Sequence, residues 1–235
     1  WEFDINEQLS AHAAYGHGHT DFDSIASGTT LIVNSAGDFR NNFAHQRFIY
    51  NKDTAEAGLS ARFRTGPVDH ALALSAAWYH HDYKFGFQRN LLPRDWLTNI
   101  HDPQWGPAVD RSFSDAALPK TGEVRTTSVG IADTLSFAGD RLQLTVGIRR
   151  QTVLSDTLDG ATGKRTARYD ASANTPAGAL LFKASERLSL YANYIEGLSQ
   201  GTTAPVTAAN AGEVFPPYKT RQREIGAKMD FGQLA

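Results

Sequence analysis

The sequence predicts an all-β protein, the wall of an antiparallel transmembrane β-barrel, and three observations carry that prediction. Apolar and polar residues alternate with a period of two along most of the 235 residues. The alternating runs reach about 11 to 17 residues, where soluble strands run about 5 to 6 and a tilted bilayer crossing needs about 9 to 11. The polar face of these runs mixes Arg, Glu, Lys and Gln with Gly, Ser and Ala, as a water-filled or plugged lumen requires, and aromatics such as Trp78, Tyr79, Phe137, Tyr191, Tyr194 and Phe231 sit toward run ends, where a headgroup girdle would place them. A soluble β-sandwich also alternates, but it would have to bury those aromatics in one core.

Composition narrows the class. With 41% hydrophobic and 20% charged residues the chain is globular rather than disordered. Lys and Arg number 23 against 25 Asp and Glu, so no net positive charge draws it to nucleic acid. The absence of cysteine removes disulfide frameworks, thiolate metal sites and Cys nucleophiles. Apolar runs such as Ala177 to Phe182 are far shorter than the roughly 18 residues of a spanning helix, a limit that leaves barrels untouched.

In order along the chain, Trp1, Phe3 and Ile5 alternate with Glu2, Asp4 and Asn6, a pattern already in mid-strand at the first residue. With no initiator Met and no leader-like segment, a fragment of something longer is expected. Leu59, Ala61 and Phe63 oppose Ser60, Arg62 and Arg64; Leu72, Leu74, Ala76 and Trp78 oppose Ala73, Ser75, Ala77 and Tyr79. Val129, Ile131, Leu135 and Phe137 follow, with Asp133 the one charged intruder on their face. Leu142, Leu144, Val146 and Ile148 form the next apolar face, expected to meet lipid, against Gln143, Thr145, Arg149 and Gln151, expected to meet the lumen. Ile225, Ala227, Met229 and Phe231 close the series.

About nine strands result. Short connections are expected at Asn6 to Gln8, Thr65 to Asp69, Ala138 to Asp140 and Ser185 to Arg187, all rich in turn residues. Long polar connections are expected at about 21 to 52, 88 to 121, 157 to 168 and 200 to 217. Long and short connections alternate, so they fall at opposite ends of the sheet.

Motifs of chemistry are few. His12, His17 and His19 suggest a metal cluster at first sight, but His12 has the opposite strand parity, and polar rim residues describe them better; His80 and His81 read the same way. No GxSxG, HExxH or P-loop occurs, so no enzyme is indicated and no cofactor is called for. The connection from 88 to 121 carries Trp96 and Trp105 beside Arg94, His101 and Arg111; exposed aromatics there suit a planar ligand with polar edges, or equally a loop packed on itself.

The stretches EVRTTSVGIADTLSFAGDRLQLTVGIRRQ, LLFKASERLSLYANYIEGLSQGTTAP and NAGEVFPPYKTRQREIGAKMDF, from Glu123 to Asp230, resemble the barrel of TonB-dependent siderophore receptors, in the ferric hydroxamate, coprogen and pyoverdine branch. The segment from 53 to 121, with RTGPVDHALALSAAWYHHDYKFG and HDPQWGP, resembles it more loosely, and the first 50 residues fit by strand pattern alone.

That resemblance implies a barrel of 22 strands closed around an N-terminal plug, in the outer membrane of a Gram-negative cell, importing ferric siderophores with energy from TonB delivered through the plug. Residues 1 to 235 would then be a partial barrel domain without a plug, monomeric when complete, with outer-membrane lipid on one face and no nucleic-acid partner. The expected ligand-contacting residues are Tyr79, His81 and Tyr83 on the wet face, Trp96 and Trp105 in the long connection, and Arg149. No residue need ligate iron, because it arrives chelated. A receptor of the same kind for haem, cobalamin or a glycan, and a passive porin or adhesion barrel, are the alternatives.

Overall fold

The computed structural model describes residues 1–88, 96–104, 106, 118–199, 201–202, 204, 208–210, 213, 215–216 and 218–232. Among these there is no helix. Ten strands occur, β1 (Glu2–Asn6), β2 (Leu9–Ile32), β3 (Asp38–Thr65), β4 (Val68–Gln88), β5 (Thr98–Asn99), β6 (Lys120–Phe137), β7 (Leu142–Leu158), β8 (Arg165–Lys183), β9 (Leu188–Ser199) and β10 (Tyr218–Met229). They form one antiparallel sheet in the order β1-β2-β3-β4-β6-β7-β8-β9-β10, with the two-residue β5 added beside β3.

The sheet is a single layer, and its surface demonstrates this. Its accessible area is 15984 Å², where a compact soluble protein of this length would expose about 10,000 Å². Few apolar side chains are buried, and the large aliphatics are exposed: Val129 by 65%, Ile148 by 48% and Val146 by 47%. A sandwich would have covered them with a second sheet; no second layer lies over them among the described residues.

Register sorts the two faces. Leu59, Leu74, Ile131 and Ile148 lie opposite one another across β3, β4, β6 and β7, and directly opposed residues share a face. Phe137, Leu142, Phe182 and Leu190 end this apolar band near the short turns. Tyr15, Ala55, Trp78 and Thr127 end it on the other side. On β7 the apolar residues run from Leu142 to Ile148, followed on the same face by Arg150 and Thr152. The intruding Asp133 is paired, its Oδ2 lying 2.7 Å from Nδ1 of His70, whose ring stacks on Phe63 at 4.6 Å. The opposite face carries Gly58, Ser75, Gly130, Arg149 and Thr175 in one row. Tyr79 and Tyr191 also lie on that wet face, outside the girdle expected to include them.

The four short turns fall where the turn residues indicate. The turn joining β6 to β7 runs through left-handed backbone, with Ala138, Gly139 and Asp140 at φ of 52°, 65° and 63°. Two of the long connections do not exist as loops. Residues 21 to 52 are mostly strand, because β2 and β3 continue as one tall hairpin to a tip at 33–37. There Asn34 Oδ1 accepts hydrogen bonds from the amides of Ala36 and Asp38, both at 3.1 Å. Residues 157 to 168 shrink to a turn at 159–164, where Asp159 accepts from the amide and hydroxyl of Thr162 at 2.8 and 2.7 Å. Both segments are rich in polar residues and lie beyond the apolar band; cross-strand pairs such as Arg47 with Asp21 at 2.9 Å help hold the tall hairpin.

Candidate functional site

Above the apolar band the wet face becomes aromatic. On β4, Tyr79, His81, Tyr83, Phe85 and Phe87 follow at every second residue, which a strand projects to one side. On β3, Phe48 and Tyr50 stand opposite Phe85 and Tyr83, and Phe22 of β2 stands opposite Phe48. The rings touch in sequence. Phe48 stacks on Phe85 at 4.8 Å and lies 5.9 Å from both Phe22 and Tyr50. His81 lies 5.3 Å from Tyr50, 5.7 Å from Tyr83 and 6.2 Å from Tyr79. These separations fall in the range of favourable aromatic pairs. The result is a platform of rings across three strands, its back to the sheet.

One cation belongs to it. The Lys52 ammonium sits 5.6 Å from the centre of the Tyr50 ring, and no carboxylate lies within ion-pair distance of it among the described residues. Burial, and then the charge of Lys52, holds the His81 imidazole below its ordinary pKa, so it is neutral at neutral pH. Its Nε2 is shielded from solvent and has no hydrogen-bond partner among the described residues.

The carboxylates at this level turn the other way. Asp53 accepts a hydrogen bond from the Tyr15 hydroxyl at 2.6 Å and lies 2.8 Å from His17 Nδ1, on the outer face above Trp78. The Tyr15 hydroxyl, then His17, holds that carboxyl below the usual range. Glu123, also on the outer face, is bonded by Lys120 at 2.8 Å and Arg125 at 3.0 Å and is held low chiefly by Lys120. His17 and His19, bonded to Asp53 and Asn51, are rim residues, while His12 covers Gly58 on the wet face.

The residues expected from sequence divide accordingly. Tyr79, His81 and Tyr83 come together as neighbours in the platform. Arg149 shares their face but lies lower, in the row of Ser75 and Gly130, about 20 Å down the wall from His81. Trp96 is half-buried just ahead of β5, whose Thr98 pairs with Phe39 at the far end of β3. On the order of 35 Å of strand separates that level from Tyr50. Asn99 ties this segment to the hairpin tip, donating to the Ala36 carbonyl at 2.9 Å. Trp105 lies outside the described residues. Phe22, Phe48, Tyr50 and Lys52 were not foreseen, although Phe48, Tyr50 and Lys52 share one parity in the sequence. They were read as loop, so that parity was never taken.

Comparison with known proteins places the chain among relatives. The family model described as "TonB dependent receptor-like, beta-barrel" matches residues 1–235. The ferrichrome receptor FcuA of Yersinia enterocolitica is 28% identical over 236 residues, covering 97% of this chain and 31% of its own length. The crystal structure of BauA, the ferric preacinetobactin receptor from Acinetobacter baumannii, is 39% identical with a TM-score of 0.81, covering 98% of this chain and 34% of that one. The siderophore receptor PiuA from the same organism shares the fold, with a TM-score of 0.74 at 18% identity over 98% of this chain and 36% of that one. The chain thus spans about a third of the length of the relatives it matches.

Proposed function

The chain belongs to the TonB-dependent receptor family, within its β-barrel domain, and from that membership we propose that it forms part of the wall of a Gram-negative outer-membrane receptor that takes up ferric siderophores. Its outer face contacts lipid. Its wet face lines a lumen that the resemblance fills with a plug, through which TonB supplies the energy for release inward. The complete receptor works as a monomer and carries no enzymatic chemistry.

The observation that carries the ligand assignment is the aromatic platform of β2, β3 and β4. Rings stacked and tilted against one another on the lumen side above the membrane do nothing for lipid contact. They present a partly exposed apolar surface to whatever enters from outside, and sites of this kind bind by apolar contact with a few polar anchors. Iron enters already chelated, so the wall must recognise the organic shell; neither a metal ligand nor a catalytic group is required. The names of the relatives, a ferrichrome receptor and a ferric preacinetobactin receptor, support ferric chelates over haem, cobalamin or a glycan. Against a passive porin stands the platform itself, since a diffusion pore uses facing rows of charge rather than stacked rings.

The test is a titration of the full-length receptor with a panel of ferric siderophores, comparing Tyr50→Ala, Tyr83→Ala, Trp96→Ala, Trp105→Ala and Arg149→Ala with the parent. Loss of a platform ring is expected to cost about 2 kcal/mol of binding energy, some thirtyfold in affinity. Losses confined to the tryptophans would move the site to the long connection. Unchanged binding in all five would make this wall scaffold.

A further inference from the structure

Resting on the receptor reading above, we propose that the platform selects, among ferric chelates, those that hold iron through aryl oxygens and carry net negative charge. The argument starts from what the sheet puts on each face. At the level of the platform the wet face shows rings and the Lys52 ammonium, while Asp21, Asp53 and Asp82 alternate onto the outer face. The first carboxylate met on descending the wet side of β3 is Glu56, four residues below Lys52 and beyond Thr54. Strand parity therefore separates the charges, leaving positive potential on the lumen side.

Lys52 adds a second constraint. A lysine over a tyrosine ring is held in place while its charge stays uncompensated, and it gains a partner when an anion lies against the platform. Neutral His81 places no competing charge beside it, and its shielded Nε2 leaves the imidazole packed as one more ring of the surface. Arg149, on the same face farther down and beyond Glu56, has no carboxylate partner among the described residues and adds a second cation to that face.

The rings decide the other half of the ligand's chemistry. Phe48 stacked on Phe85, flanked by Tyr50 and Tyr83, offers aromatic faces and edges over a broad, flat area. A catecholate or phenolate ring matches such a surface by offset or edge contact. A hydroxamate presents a small polar group on an alkyl spacer and has no ring to stack. An uncharged tris(hydroxamate) chelate gains from neither the rings nor Lys52.

The experiment uses the full-length receptor in detergent, titrated with two hexadentate Fe(III) chelates of similar size, a trianionic tris(catecholamide) and an uncharged tris(hydroxamate). The catecholamide chelate is expected to bind about tenfold tighter or more, an advantage that shrinks as salt rises. Lys52→Gln should weaken it about tenfold and leave the hydroxamate chelate unchanged, with Lys52→Arg retaining most of the preference. Tyr50→Leu should reduce the preference at constant charge. Each variant is checked for native heat-modifiable mobility. Equal affinity for the two chelates, or equal losses for both in Lys52→Gln, overturns the selectivity and leaves the receptor reading standing. If neither chelate binds, both fall.

Discussion

The ring of Tyr83 lies over Gly122, its partner across β4 and β6, in space that any side chain at position 122 would occupy. The same device recurs where Tyr191 covers Gly226. At Gly122 it decides the platform's shape, because the missing Cβ lets the tyrosine fold down against the wall and stay near Tyr50 and His81.

Gly122→Val is therefore expected to lift Tyr83 off the wall and weaken ferric-chelate binding by several-fold, as loss of one or two aromatic contacts of about 0.5–1.5 kcal/mol each would do. Barrel assembly should be unaffected, since position 122 lies above the apolar band. Parallel measurement of chelate affinity and heat-modifiable mobility separates the effects; normal affinity in a folded variant means the position of Tyr83 is irrelevant to binding.

The two faces of β7 give a direct contrast. Val146 is on the apolar face, and Thr145 is on the other, its hydroxyl 2.8 Å from that of Thr134. Val146→Arg in the complete receptor should cost about 2–4 kcal/mol of folding free energy in a bilayer and Thr145→Arg far less. Denaturant titration of both in liposomes checks the assignment, which equal losses would reverse.

His81 should titrate below an ordinary imidazole, and Lys52→Gln should raise its pKa part of the way back, because burial remains when the charge is gone. The folded pKa lies below the unfolded one, so the folded protein binds fewer protons in between. Stability then is full above the ordinary imidazole pKa near 6.5 and falls as pH drops through it toward the folded value. Histidine-selective NMR of the labelled receptor reads this titration, and an unshifted His81 would contradict the packing described.

Among the described residues, β1 and β10 are each paired on one side only. Lipid cannot satisfy the remaining amides and carbonyls. Residues 1–235 expressed alone are expected to aggregate. A monodisperse, heat-modifiable species from this chain by itself would show that the edges find each other.

Legibility from sequence followed the apolar band. Where one strand face is apolar, as at Leu142 to Ile148, alternation is strict and was read residue by residue. Beyond that band the same strands mix polar and aromatic residues and lose the regular apolar alternation, so β2 and β3 from 21 to 52 looked like a loop. The platform suffered from that gap. Tyr79, His81 and Tyr83 were found because β4 is apolar at its start and its parity carries upward; Phe48 and Tyr50 were lost with their strand.

The sequence by itself determined which way each side chain of β4, β6 and β7 points and where the tight turns fall, because strand parity and turn dihedrals are local properties of the chain. Family resemblance was legible for a related reason, since those strands and turns recur in order. Only the tertiary structure decided that Phe48 meets Phe85, that Lys52 stands over Tyr50 while Asp53 turns outward beside Tyr15, and that Trp96 and Arg149 lie far from the platform. The reason is register. Which residue stands opposite which is fixed by the pairing of distant segments, and a slip of one residue would exchange the faces of a whole strand.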